Sequence, residues 1–220
     1  MKTTDDPYLE ALLTLPTLAE PRVSPDGRWV AWTWYRTGPA ADVYAAPTDG
    51  SAGPLRLSET PDDTFVASWT ADSRAVLVSQ DHDGDERVQL FRIDLDRPGI
   101  MRPLTEPSPS FFLRGGQLHP DGRRLIYGAN WDEEAGCEIE PTWVYCHDLE
   151  TGRRVPLARP ERGCYYEPQL NEPGSHVLYR RADRHPAGRQ VWLVDVEGRD
   201  DHEIVNVGDD KKAWAHWFPD

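Results

Sequence analysis

The sequence predicts an all-β protein built from repeats of a four-stranded antiparallel unit. A turn phrase recurs with steps of 46 (26 to 72), 49 (72 to 121), 52 (121 to 173) and 47 (173 to 220) residues, and a period of this length indicates repeating structural units. An apolar run of strand length follows each complete turn. The copies are Ser24-Pro25-Asp26-Gly27, Thr70-Ala71-Asp72-Ser73, His119-Pro120-Asp121-Gly122, Glu172-Pro173-Gly174 and Phe218-Pro219-Asp220.

Each copy of the phrase has the composition of a tight turn between two strands. Proline presets φ for the first turn position, aspartate hydrogen-bonds back to its own backbone, and glycine accepts a positive φ. Asp26, Asp72 and Asp121 are therefore interpreted as turn residues and not as catalytic acids. An apolar residue three positions before each reference residue and an apolar run after the turn make the pattern of a β-hairpin.

Two further segments complete each unit. The third carries an apolar residue followed by an aromatic one, at Val43-Tyr44, Leu90-Phe91, Val144-Tyr145 and Val191-Trp192. The fourth is short, and two of its copies contain a proline, Pro103 and Pro156. Because proline lacks the ladder N–H, such a strand belongs at a sheet edge. Four short antiparallel strands that repeat in this way predict the blades of a partial β-propeller.

The predicted boundaries follow the repeat. We expect a helical arm over 1–18, blades over 19–60, 61–106, 107–160 and 161–207, and the first strand of a truncated fifth blade over 208–220. The arm begins with Asp5-Asp6-Pro7 and then shows the apolar spacing of a short amphipathic helix. This helix either covers the rim of the propeller or docks on a domain outside the chain. An open arc of blades exposes apolar faces at both ends, so we expect marginal stability or self-association.

Composition restricts the partners. The chain has 24 Lys and Arg against 38 Asp and Glu, a net charge of −14, which disfavours nucleic acid as a ligand. It has no apolar run long enough to span a membrane and no signal-peptide pattern at its N-terminus, so a cytoplasmic location is expected. The scattered Cys137, Cys146 and Cys164 are expected to be reduced packing or surface thiols and not a disulfide framework.

The N-terminal pattern resembles a known family. Asp6-Pro7-Tyr8-Leu9 followed by the stretch from Val23 to Trp32, and then by blades with the later turn phrases, resembles the amino-terminal propeller of the prolyl oligopeptidase family of serine peptidases, of the acylaminoacyl-peptidase or dipeptidyl-peptidase kind. The turn phrase alone is shared with TolB-type and WD-type repeats. The resemblance implies a propeller that caps an α/β-hydrolase domain and filters oligopeptides on their way to a Ser-Asp-His triad.

The sequence contains no nucleophile of that family. In that family the nucleophilic serine lies in a Gly-x-Ser-x-Gly pentapeptide, the nucleophile elbow, on a strand-to-helix turn. This chain has no such pentapeptide. Gly50-Ser51-Ala52-Gly53 and Gly174-Ser175-His176 fall in predicted turns or strand starts. On a strand, Ser175 and His176 would point to opposite faces, which opposes a Ser–His relay. We therefore expect no catalytic residue here, no hydrolysis by this chain alone, and a triad beyond residue 220.

The candidate substrate-binding residues are Asp83, Asp85, Glu86 and Arg114. The first three belong to the run from Asp81 to Glu86, whose spacing does not match a calcium loop because Arg92 stands where the bidentate acid is required. The run is either a solvated hairpin tip or an acceptor for a positively charged peptide end. Arg114 precedes the first strand of blade three, so it either projects into the central channel or covers Phe111 and Phe112.

No metal or cofactor is expected. His119, Cys137, Cys146 and His147 lack the paired spacing of zinc ligands. The predicted function is the substrate-gating propeller portion of a serine peptidase that acts on oligopeptides, with an α/β-hydrolase domain as its partner. The alternative is a non-enzymatic TolB-type scaffold for protein interactions. A lyase or sugar-processing propeller would need converging acids and histidines in the channel, and the sequence shows no such set.

Overall fold

The computed structural model describes residues 8, 11–12, 15–35, 40–107, 112–162 and 168–218. These residues form four sheets, each of four antiparallel strands in sequence order. The predicted all-β propeller fold is therefore confirmed.

The blades have the following strands. Blade one contains β1 (Thr17–Val23), β2 (Trp29–Tyr35), β3 (Asp42–Pro47) and β4 (Leu55–Arg56). Blade two contains β5 (Thr64–Trp69), β6 (Ala75–Gln80), β7 (Gln89–Asp94) and β8 (Arg102–Pro103). Blade three contains β9 (Leu113–Leu118), β10 (Arg124–Asp132), β11 (Cys137–Asp148) and β12 (Arg154–Ala158). Blade four contains β13 (Gln169–Leu170), β14 (His176–Arg181), β15 (Gln190–Asp195) and β16 (His202–Val205).

The turn phrase joins the first and second strands of each blade. The Asp26 carboxylate accepts hydrogen bonds from the Ser24 hydroxyl at 2.6 Å and from the Arg28 backbone N–H at 3.0 Å. The Asp72 carboxylate accepts a hydrogen bond from the Thr70 hydroxyl at 2.6 Å. Both carboxylates therefore hydrogen-bond within their own turns, which confirms the sequence-based interpretation of Asp26 and Asp72 as turn residues. The proline-containing strands β8 and β12 lie at sheet edges, also as predicted.

The core lies between blades and not within one sheet. Alternate side chains of β10 point to opposite neighbours: Leu125 and Tyr127 pack against blade two, whereas Ile126 packs against blade four. Both faces of the second strand of a blade are buried in this way. This explains why the second strands carry continuous apolar runs in the sequence. A similar apolar cluster joins blades one and two. Within the described residues, the apolar clusters join only consecutive blades, and a further one joins blade four to Ala213 and Ala215.

Parts of the predicted domain scheme lie outside the described residues. In the N-terminal arm, Tyr8, Ala11 and Leu12 are helical, and residues 1–7, 9–10 and 13–14 are not described. Over residues 208–218 no strand is assigned, and a bridge links Lys212 to Arg189; the first strand of a fifth blade stays a prediction. In the described parts of the chain, no helix has the length and apolar character needed to cross a membrane.

Candidate functional site

The first strands of the blades enclose a cavity of about 730 Å³. Strands β1, β5 and β9 contribute to its wall, together with Pro168 and Gln169 at the start of blade four. The wall carries charges of both signs. The acids are Glu20, Asp81 and Glu86, and the arginines are Arg22, Arg114 and Arg180. A cavity at the first strands is the place where the repeat predicts the central channel.

β-Bulges shape this wall. The register of β1 against β2 shifts between Ala19 and Arg22, and Glu20 within this bulge has a φ of 53°. The register of β9 shifts over Gly115 and Gly116, which have φ values of 71° and 147°. Since a bulge bends its strand and redirects side chains, these shifts account for the presence of Glu20 in the cavity wall. Strand β5 has a shift at the same place in its repeat, between Val66 and Ser68.

Arg114 does both of the things that the sequence left open. It is exposed and lines the cavity. Its guanidinium carbon also lies 5.6 Å from the centroid of the Phe112 ring, and that of Arg87 lies 4.1 Å from the same centroid. The second aromatic of the expected pair, Phe111, lies outside the described residues. Arg114 is therefore held at the wall by a cation–π contact and keeps its N–H donors available to the cavity.

The structure separates the three acidic candidates. Glu86 lines the same cavity as Arg114. Asp85 lines a neighbouring cavity of about 380 Å³, and Asp83 is in neither lining but faces the His82 ring, 3.4 Å from Nε2. Only Arg114 and Glu86 of the four predicted residues thus share one site. A role in substrate binding stays a prediction for all of them.

Sequence reasoning missed a partner of this loop. Asp62 precedes blade two, and its carboxylate lies 3.2 Å from His82 Nδ1 and accepts the Asp83 backbone N–H at 3.1 Å. The hydrogen bond that the His82 ring donates to the Asp62 carboxylate raises the pKa of His82. The Asp83 N–H and the imidazole together hold the pKa of Asp62 below its usual range. No local motif signals this contact because 20 residues separate the two side chains.

Among the described residues, Asp62, His82 and Asp83 also form a group that could hold a metal ion, with ligand atoms within 4.8 Å of one another. The two ring nitrogens of His82 face the two carboxylates. A protonated imidazole donates from both nitrogens and leaves no lone pair for a metal. In its charged form the ring would therefore make an ion triplet with the two carboxylates and would not ligate a metal.

The structure places Ser175 in a turn, so the alternation expected for two strand residues does not apply to Ser175 and His176. Their side chains do not point apart: Ser175 Oγ lies 2.9 Å from His176 Nδ1. Strand β14 begins at His176, so Ser175 belongs to the preceding turn and does not follow the alternation of a strand. Ser175 Oγ also accepts a hydrogen bond from the Asn171 amide at 3.0 Å. The pair stabilises the turn and has neither the strand-to-helix setting of a nucleophile elbow nor a described oxyanion pocket.

The cysteines differ in environment. Cys137 is exposed and Cys146 is half-buried, both as free thiols. Burial raises the pKa of the Cys146 thiol to about 11. Cys164 lies outside the described residues. His119, a member of the zinc set considered above, contacts the Gly174 carbonyl oxygen of the next blade through Nε2 at 2.9 Å; this histidine takes part in blade stacking.

Comparisons with known proteins agree with this architecture. No protein-family model matches the chain. Tricorn protease homolog 1 of Streptomyces coelicolor is 42% identical over 59 residues, which are 27% of this chain and 5% of that protein. The structure of TolB from Acinetobacter baumannii matches with a TM-score of 0.61 at 22% identity and covers 82% of this chain and 41% of TolB.

A peptidase structure matches to the same degree. The puromycin-hydrolyzing peptidase of Mycobacterium tuberculosis gives a TM-score of 0.61 at 17% identity, over 85% of this chain and 28% of the peptidase. The chain therefore spans less than half of the length of each of these proteins. At such identities the structural likeness shows the fold: the chain has the β-propeller fold that TolB and the peptidase present over the matched regions, in agreement with the resemblance found in its sequence.

Proposed function

We propose that this chain is the propeller portion of a serine peptidase and that its cavity restricts and orients oligopeptides. The observation that carries the proposal is the presence of Arg114 and Glu86 in one cavity wall at the first strands. A peptide with free ends presents an ammonium, a carboxylate and backbone carbonyls. Carboxylates and guanidinium groups in one wall offer a partner for each of these groups.

The chemistry is proposed to come from another domain. The sequence contains no Gly-x-Ser-x-Gly pentapeptide, and the Ser175–His176 contact lies in a turn. We therefore propose an α/β-hydrolase domain as the partner that supplies the nucleophile. A cytoplasmic location is part of the same proposal.

A scaffold function is the second candidate. The TolB structures from Acinetobacter baumannii and Agrobacterium tumefaciens match with the same TM-score of 0.61 as the peptidase, so the fold does not favour one class. A scaffold binds a folded protein partner, and free peptide ends are then irrelevant to recognition. The two functions differ in what the cavity binds.

Calorimetric titration with short oligopeptides tests the proposal. We expect a peptide with free ends to bind, and the same peptide with acetylated and amidated ends to bind more weakly. Arg114→Ala and Glu86→Gln are each expected to weaken binding about tenfold or more, since a hydrogen bond to a charged group contributes about 1.5 kcal/mol or more. Arg74→Ala is the matched control, because Arg74 is an exposed arginine in the turn of blade two and lies outside the cavity wall.

Two outcomes would count against gating. One is the absence of peptide binding by the wild-type chain. The other is an equal effect of Arg114→Ala and Arg74→Ala, which would mean that the peptide binds elsewhere. A folded protein that binds while peptides do not would favour the scaffold.

A further inference from the structure

The hairpin of β10 and β11 in blade three is longer than its equivalents in the other blades. These strands span 9 and 12 residues, whereas the second and third strands of the other three blades span 6 or 7. The buried members of the interblade clusters end at Ala129 on β10 and begin at Val144 on β11. The extension beyond them carries two polar residues, Asn130 and Glu138, that connect to the segment beside the cavity.

Asn130 fixes the backbone of the residue before β9. The Phe112 N–H donates to Asn130 Oδ1 at 2.6 Å, and the Asn130 N–H donates to the Phe112 carbonyl oxygen at 3.4 Å. Asn130 is buried, and its side-chain nitrogen donates to Glu138 Oε1 at 2.9 Å. Because a side-chain amide accepts and donates at once, this one group joins Phe112 to Glu138.

Glu138 also reaches Phe112 through blade two. Arg87 Nη1 donates to Glu138 Oε1 at 3.4 Å, and the Arg87 guanidinium carbon lies 4.1 Å from the centroid of the Phe112 ring. The Arg87 side chain is 23% exposed, so its charge is partly removed from water and is balanced by the carboxylate. Phe112, Asn130, Glu138 and Arg87 therefore form a closed cycle of contacts, the Phe112 network.

The Phe112 network ends at the cavity wall. The guanidinium carbon of Arg114, a residue of that wall, lies 5.6 Å from the centroid of the Phe112 ring. An exposed arginine has many rotamers, and a ligand that orders it loses affinity to the entropy of ordering. A ring that is held both at its backbone and over its face restricts those rotamers before a ligand binds.

We propose that Glu138 is a positioning residue for Arg114. Glu138 holds Arg87 and Asn130. These two residues hold the ring and the backbone of Phe112, and the ring fixes the Arg114 guanidinium where a substrate carboxylate can bind. Glu138 does not line the cavity, so its effect on binding is indirect. The inference rests on the proposed function, since it concerns the binding of a peptide carboxylate in the same cavity.

NMR of the Arg114 Nε–Hε group tests the network without a ligand. In the 220-residue chain we expect the ring current of Phe112 to shift the Hε signal. The signal is expected to move toward the value of a free arginine in Glu138→Gln and in Phe112→Leu. Glu140→Gln is the matched control, because Glu140 is an exposed glutamate of the same strand outside the network. Arg114→Lys assigns the signal, and far-ultraviolet circular dichroism checks that each variant is folded.

Peptide binding tests the consequence for recognition. Calorimetry compares an oligopeptide that has a free carboxylate with the same peptide amidated at its C-terminus, both with a free ammonium. We expect Glu138→Gln and Phe112→Leu to weaken binding of the first peptide about threefold and to leave binding of the second unchanged. A loss of structure alone would weaken both. In the Arg114→Ala background, Phe112→Leu is expected to have no further effect.

Failure can be assigned to one proposal or the other. An Arg114 signal that Glu138→Gln does not move, or that Glu140→Gln moves equally, would overturn the inference. Binding that Arg114→Ala weakens but Glu138→Gln does not, or equal weakening of both peptides by Glu138→Gln, would also overturn it and leave the proposed function standing. A wild-type chain that binds neither peptide would count against the proposed function, and the NMR result would then decide whether Glu138 positions Arg114.

Discussion

The hydroxyl of Ser68 donates a hydrogen bond to the carbonyl oxygen of Gly116, which lies 2.7 Å away in the next blade. Ser68 borders the bulge of β5 and Gly116 lies within the bulge of β9, and both bulges shape the cavity wall. The contact therefore joins the stacking of blades two and three to the geometry of the candidate site.

Ser68→Ala is expected to lower the free energy of unfolding by about 1 to 3 kcal/mol, because it leaves a buried carbonyl without its partner. Urea denaturation measures the change. Thr48→Ala is the control, since the Thr48 hydroxyl makes an equivalent 2.7 Å bond to the Gly27 carbonyl oxygen in an exposed setting. The control is expected to change stability by about 0.5 kcal/mol or less. Equal losses in the two variants would contradict a structural role for the interblade bond.

Gly116→Ala is expected to destabilise more than an ordinary turn glycine. Its φ is 147°, and an added Cβ would lie 2.9 Å from both δ carbons of the buried Leu90. Gly99 also has a positive φ, of 80°, but has no atom within 4 Å of an added Cβ. We expect a loss of about 1 kcal/mol for Gly99→Ala and about 2 to 4 kcal/mol for Gly116→Ala, from backbone strain plus overpacking. Denaturation curves that rank the two variants in the opposite order would contradict this account.

The contact between Asp62 and His82 predicts a pH dependence. The folded chain binds the His82 proton more tightly than the unfolded chain, so the pair stabilises the fold below the ordinary histidine pKa of about 6.5. This stabilisation is lost as the pH rises through the raised pKa of folded His82. It is also lost at acid pH, as the pH falls through the lowered pKa of Asp62.

Titration of the His82 ring by NMR checks this prediction. We expect a pKa above the usual histidine value in the wild-type chain and a return toward that value in Asp62→Asn. Asp96→Asn is the control, because Asp96 is an exposed aspartate of the same blade. A His82 pKa that does not respond to Asp62→Asn would show that the carboxylate does not control it.

The two described cysteines are expected to react at different rates. Cys137 is exposed, whereas burial raises the pKa of the Cys146 thiol to about 11 and lowers its thiolate fraction at neutral pH. Brief treatment with iodoacetamide followed by peptide mapping is expected to show Cys137 alkylated first. In urea the two rates are expected to converge. Equal rates in the native chain would contradict the half-buried position of Cys146.

Local patterns predicted most of the fold because its units are local. The hydrogen bonds of Ser24 with Asp26, and of Thr70 with Asp72, span two residues, and the alternation that buries Ile126 on one side of β10 and Leu125 on the other follows from backbone geometry. The turn of Ser175 shows the limit of this reasoning. The sequence left open whether Ser175 lies in the turn or at the start of the strand, and its position in the turn is what brings its side chain to His176.

The candidate site was predictable only in part. The sequence singled out Arg114 and Glu86, which share a cavity, together with Asp83 and Asp85, which do not line it. It gave no signal for Asp62 as the partner of His82. The bulge at Glu20 also had no signal, since a register shift depends on the pairing of two strands.

Sequence by itself determined the repeat, the turns, the strand order within a blade and the absence of the peptidase pentapeptide, because each depends on residues that are close along the chain. Tertiary structure decided which charged side chains meet in the central cavity and how Arg87 of blade two meets Glu138 of blade three. Those relationships join residues from different blades, and their distances are set by the stacking of sheets and by bulges, neither of which is encoded in a local pattern.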